Sequence, residues 1–406
     1  MKQIIPFRYF AGAWLKVLLL AGFGLLWLPD GLSQGLSEGN RKQGLVFEAN
    51  GFAGKQIKIY PNYPDNNITA YGELHAGYKC YGTKAWHRAW RYPQIGVSFM
   101  YGFLGNKEVL GSNYSLIPDI TFESRDDRKV PVDVRLGTGL AWFSKPYDRL
   151  ENPKNLVIGS RLANVTYLSV YYRKVLNRYL SLWGGLSMVH FSNGHYQLPN
   201  IGLNTFTLNA GIKVYPYGKP AIKQTEGQEP VIDHRLKANL RIGFGVNEFG
   251  SATKPIGGPK YPVYIATAYA SKRVGKISNL QAGVFLSYYS GFYDYIIDQD
   301  FYGKNQRIKS SVVSLFIGNE FLLGRFGLLW QSGINVYNPF QREYFEMTYG
   351  SGTTAKMKTW WCNKLGAQFY LLKPERQSRF NVWLGVYIKS NLMTADFVES
   401  CVGITF

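Results

Sequence analysis

Residues 234–246, HRLKANLRIGFGV, alternate strictly: Leu236, Ala238, Leu240, Ile242, Phe244 and Val246 share one side of an extended chain, and Arg235, Lys237, Asn239 and Arg241 share the other. An extended backbone turns successive side chains to opposite faces, so this pattern predicts a strand with one apolar and one polar face. It recurs along the chain. Residues 326–337 set Phe326, Leu328, Trp330, Ile334 and Val336 against Gln331, Gly333 and Asn335, and residues 380–389 set Phe380, Val382, Leu384, Val386 and Ile388 against Asn381, Tyr387 and Lys389. Candidate strands fall near 44–52, 68–81, 93–103, 114–124, 131–142, 163–174, 178–190 and 204–217, and eight more lie between 234 and 406.

So many one-sided strands must bury their apolar faces against a second sheet or helices, or turn them to lipid. No amphipathic helix competes for those faces, and a closed barrel in lipid needs none, because every backbone group pairs with a neighbouring strand. Composition agrees: 16% of residues are aromatic, 30 of them Tyr, with 44 Gly and only 18% charged, as suits tilted strands with aromatic girdles. Val398, Val402, Ile404 and the final Phe406 form an alternating strand that stops on an aromatic, the ending typical of outer-membrane barrels. The expected fold class is all-β, a transmembrane antiparallel β-barrel of about 12–16 strands with sixteen the best count, an even number as in bacterial barrels. One barrel domain over 34–406 is expected, since an open half-sheet would expose strand edges to lipid. Loop lengths run the seventh strand outward and place the polar linker KPAIKQTEGQEP, 219–230, in the periplasm.

Lys2 and Arg8 precede the apolar run VLLLAGFGLLWL at 17–28, which Pro29 and the small-residue stretch Gly31-Leu32-Ser33 follow. This reads as a secretory signal peptide over 1–33, since the run falls short of the roughly 20 residues a spanning helix needs. Removing 1–33 takes away Lys2, Arg8, Lys16 and Asp30 and moves the net charge from +20 to +18. Such an excess favours an anionic partner. Secretion and the lack of a recognition motif argue against nucleic acid, whereas a phosphorylated glycolipid surface fits both; a merely solvated basic surface is the bland alternative. Cys80, Cys362 and Cys401 have no CxxC spacing, and His190 and His195 are the only close histidine pair, so neither a disulfide framework nor a metal site is expected.

Within HFSNGHYQLPNIGLN, 190–204, one feature departs from the barrel pattern. Counting back by twos from Ser192 gives His190, Met188, Leu186, Gly184 and Leu182, so a polar pair continues an apolar stripe. Asn204 heads the next stripe, Phe206, Leu208, Ala210, Ile212 and Val214. All three then face lipid at the top of one hairpin. Ser192 and His190 have the spacing of a nucleophile and its general base, Asn204 can orient the imidazole, and Asn193 and Asn200 offer donors for an oxyanion. Headgroups also hydrate polar residues at an interface, and Asn-Gly is an ordinary turn signal.

HFSNG followed by PNIGLN resembles the active-site segment of the lipid A 3-O-deacylase (PagL-type) family, many of whose members are known as acyloxyacyl hydrolases. Its motif has a catalytic histidine, a serine two residues on, an asparagine next, and then Asn-x-Gly-x-acid. His190, Ser192, Asn193, Asn200 and Gly202 occupy those places without a gap. The glutamate of the motif falls on Asn204, which leaves an Asn-type triad, an acid supplied by another strand, or altered or lost activity. RYPQIGVSFMYGFLGN at 91–106 and RLGTGLAWFSKPYD at 135–148 are similar to the family's strands, extending the resemblance over 44–217. The resemblance implies an outer-membrane esterase that removes an ester-linked acyl chain from lipid A without a cofactor, on an enlarged version of an eight-stranded barrel. A channel or a glycolipid-binding barrel without chemistry is the alternative. His75 and His87 are expected to be bystanders, and His195 a weaker substitute base.

Overall fold

The protein, a computed structural model, is described for residues 42–406 apart from 59, 61, 62, 83, 223–231, 252–256, 373 and 375–378. The signal peptide expected at 1–33 and most of the linker 219–230 lie outside the described residues.

Among the described residues sixteen antiparallel strands form, the expected number, from β1 (Leu45–Gln56) to β16 (Thr394–Thr405). Their closure differs from the single wall anticipated. β8 (Leu203–Val214) returns to β1, pairing Val214 with Phe47 and Thr205 with Gln56, and β16 closes on β9 (Lys237–Glu248), pairing Val398 with Val246 and Thr405 with Asn239. The chain is therefore two closed eight-stranded barrels. Open edges were the objection to dividing the wall, and each half removes it by sealing on itself.

Alternation then sorts the side chains. In the first barrel Leu74, Phe99, Tyr114, Trp142, Leu186 and Leu208 are exposed on the outer wall, and in the second Ile242, Tyr264, Ile317, Leu365 and Leu384 are. Polar and charged groups point inward and pair there. Arg135 reaches Glu48 at 2.6 Å and Glu73 at 3.3 Å, Arg173 reaches Asp133 at 2.6 Å, and in the second barrel Lys364 reaches Glu399 at 2.6 Å. Unpaired charges would cost several kcal/mol each in such an interior, on the order of the penalties known for buried ions, so the networks are needed once charge is inside. Eight strands enclose a space that side chains can fill, and here Arg135, Arg173, Arg241, Trp383 and Tyr387 fill it. Neither barrel has the wide lumen that one sixteen-stranded wall would enclose.

The barrels touch at both rims. At one, Trp90 donates its Nε1–H to the carbonyl of Leu322 at 2.8 Å, beside Phe321. At the other, the loop 193–202 of the first barrel lies against the ends of β9, β10 (Lys260–Val274) and β16.

Candidate active site

The site grows out of one hairpin. Along β7 (Leu180–Ser192), Ser181, Trp183, Ser187, Val189 and Phe191 are buried, whereas Leu182 and Leu186 are exposed and Met188 and His190 half-buried on the outer side. On β8, Phe206 and Leu208 are exposed and Asn204 is half-buried above them. Register sets His190 opposite Asn204 and Met188 opposite Phe206. His190 and Asn204 thus stand on the apolar outer wall, whereas Ser192, at the strand end two residues beyond His190, is buried rather than facing lipid as expected.

The imidazole and the amide meet directly, His190 Nδ1 lying 2.7 Å from Asn204 Oδ1. An amide oxygen can only accept, so this assignment of the network puts the proton on Nδ1 and leaves Nε2 with its lone pair. Gly202 makes room for the ring: its φ is +79°, and a Cβ there would stand 3.3 Å from His190 Cε1 and 3.1 Å from the Phe191 carbonyl oxygen.

Ser192 belongs to a second set of contacts. Its Oγ accepts from Asn200 Nδ2 at 3.0 Å and from the backbone N–H of Gly194 at 3.2 Å. Asn200 Oδ1 in turn accepts from the Asn193 N–H at 3.1 Å, fixing which way the Asn200 amide faces. The Asn193 side chain is occupied elsewhere, donating to Ser160 Oγ at 3.2 Å and to the Gln197 carbonyl at 2.5 Å and accepting from the His195 N–H at 3.1 Å. Asn193 staples the loop, and Asn200 touches the serine. Among the described residues no hydrogen bond joins His190 to Ser192; the two sets are neighbours on one wall.

His75 lies inside the first barrel, 3.2 Å from Asp119, and His87 sits in the short helix Ala85–Ala89. His195 is buried in the mouth of the second barrel, lining a cavity with Glu248, Tyr344, Lys358 and Asp396. Burial holds the His195 pKa below the ordinary imidazole value, and Lys358 adds to the lowering, against the pull of Asp396 and the backbone of Glu248 and Gly250.

The sequence reading missed two outer-wall residues on β6 (Leu162–Val175). Asn164 pairs in register with Ser192 and Thr166 with His190, and Thr166 Oγ1 donates to Asn164 Oδ1 at 3.0 Å. The signal was there: both continue the apolar stripe of Leu162, Leu168 and Val170, the same departure that marks His190.

A family model described as lipid A 3-O-deacylase (PagL) matches residues 70–213, and one described as acyloxyacyl hydrolase, C-terminal domain, matches 234–406. The chain belongs to this family of outer-membrane hydrolases. The family match thus extends over the second barrel, which the sequence reading had related only to barrels in general. Among solved structures, the outer-membrane enzyme PagL is 17% identical, with a TM-score of 0.31 over 40% of this chain and 97% of that one. Omp33 of Acinetobacter baumannii is 8% identical, with a TM-score of 0.15 over 90% of this chain and 99% of that one. A BenF-like porin from Pseudomonas fluorescens Pf-5 is 10% identical, with a TM-score of 0.21 over 89% and 97%. No curated protein matches the chain.

Proposed function

We propose that the first barrel is a lipid A deacylase in which Ser192 attacks an ester-linked acyl chain and His190 manages the proton. The observation that supports this reading is the contact of Asn204 Oδ1 with His190 Nδ1 on the outer side of the hairpin, with Ser192 two residues further along the same strand, buried against Asn200 and Gly194. An acyl chain in the outer leaflet runs along Met188, Leu186, Phe206 and Leu208, and its ester lies level with the polar residues above them.

His190 Nε2 takes the Ser192 proton as Oγ bonds to the carbonyl carbon, and the carbonyl oxygen gains the negative charge. Asn200 Nδ2 and the Gly194 N–H, already at Ser192 Oγ, are the donors closest to that charge. Collapse breaks the ester bond, and the imidazolium returns its proton to the departing sugar oxygen. Water then attacks the acyl-serine with His190 again as base, releasing a free fatty acid and under-acylated lipid A. The gap between His190 and Ser192 spans two strand residues, about 6.6 Å between Cα atoms, which a serine rotamer can close when a carbonyl engages Oγ.

Acyl-chain masses of lipid A from cells producing the wild type or Ser192→Ala test the reading. Loss of one acyl chain with the wild type and none with the variant is expected. Equal deacylation by both would discard Ser192 as nucleophile, and lipid A binding without acyl loss in either would leave a binding barrel.

A further inference from the structure

We infer that the second barrel holds the catalytic loop of the first in register, and that Glu248 is the positioning residue through which it does so. The inference rests on the assignment of Ser192 as nucleophile. Glu248 ends β9 and is buried, and its Oε2 accepts the Leu198 N–H at 2.9 Å. Leu198 stands two residues before Asn200, whose amide donates to Ser192 Oγ. The Glu248 N–H donates to the His195 carbonyl at 3.1 Å, so side chain and backbone of one residue grip both arms of the loop.

Lys260, the register partner of Glu248 on β10, adds a second grip. Its Nζ donates to Gln197 Oε1 at 3.3 Å and sits 4.5 Å from the Tyr196 ring centre. Four successive loop residues, His195 to Leu198, are thereby held by two adjacent strand ends. Contact is close elsewhere too: a Cβ at Gly194 would lie 2.5 Å from Val398 Cγ2 on β16. The first barrel holds the other side, through Asn193 Nδ2 on Ser160 and the Gly202 N–H on the Val157 carbonyl at 3.1 Å. Loosening one side leaves the loop attached but free to shift, and a misplacement of about 1 Å at a reacting group can cost on the order of 100-fold in rate. The outer wall that receives acyl chains lies on β7 and β8 and takes no part in this grip.

The test uses the full chain in detergent micelles with purified lipid A, reading kcat and KM from released fatty acid. Glu248→Ala is expected to lower kcat by about 10- to 100-fold with KM changed less than about threefold. Glu248→Gln keeps an oxygen for the Leu198 N–H and is expected to restore kcat to within about threefold of wild type. Lys260→Met, which keeps the stem and loses the ammonium, is expected to lower kcat in the same direction; it remains informative if Glu248→Ala does not fold. Folded Glu248→Ala or Lys260→Met with wild-type kcat, or a Glu248→Gln as impaired as Glu248→Ala, overturns the inference while Ser192→Ala stays inactive. An active Ser192→Ala instead overturns the assignment of the nucleophile.

Discussion

Asn204 carries the one chemical departure from the triad it resembles, and its geometry says what the departure costs. Its Oδ1 accepts from His190 Nδ1 at 2.7 Å, so the ring is oriented, but an amide adds no charge to stabilise the imidazolium that the proposed attack would form. Asn204→Asp would keep the shape and supply the charge. A charge-assisted bond is worth about 1 kcal/mol more than a neutral one, so kcat is expected to rise roughly fivefold. Asn204→Leu should lower kcat by at least the same factor, because it removes the acceptor that fixes the tautomer. Released fatty acid per time checks both, and an Asp variant no faster than wild type would mean that the ring's orientation alone limits the rate. The meeting of His190 with Asn204 was legible in the sequence because both are polar residues in line with apolar stripes of neighbouring strands, whereas the burial of Ser192 was not. The occupation of Asn193 by Ser160 and Gln197 was not, since it depends on where a distant loop lands.

The β7–β8 hairpin works as a unit because its loop returns through a glycine. Gly202 adopts φ +79°, where a side chain is strained, and it also borders the imidazole. Gly202→Ala is expected to cost about 1 kcal/mol of stability and to lower kcat by more than that loss explains, because the added methyl meets His190 Cε1 at 3.3 Å. Thermal unfolding and kcat measured on the same preparation separate the two effects; a stability loss with unchanged kcat would show that the ring adapts. At this scale the sequence was highly informative. Alternation alone placed strands at 93–103 and 131–142 against the observed Gln94–Phe103 and Val132–Phe143, since a wall packed with polar groups on one side and greasy on the other imposes period two on every strand.

The number of closures was not legible for a related reason. Strands of one sixteen-stranded wall and of two eight-stranded walls alternate alike, and only the pairing of β8 with β1 and of β16 with β9 tells them apart. The linker at 219–230 was the available sign, a polar connection where a continuous wall would be served by a short turn. Two barrels need a joint, and His195 is part of it, buried in the mouth of the second barrel beside Asp396 and Lys358. Because burial lowers its pKa when docked, the undocked or unfolded chain takes up a proton at higher pH than the native one does. The stability from docking neutral His195 is therefore complete above its ordinary pKa of about 6.5 and is lost progressively as pH falls from there toward the lowered native value. Thermal unfolding of the full chain in detergent should occur at lower temperature at about pH 5 than at about pH 7.5. His195→Gln, which cannot titrate, should narrow that difference. The narrowing reports the His195 imidazole together with its coupling to Asp396. An equal pH response in the two proteins would mean that the joint does not depend on the imidazole's charge.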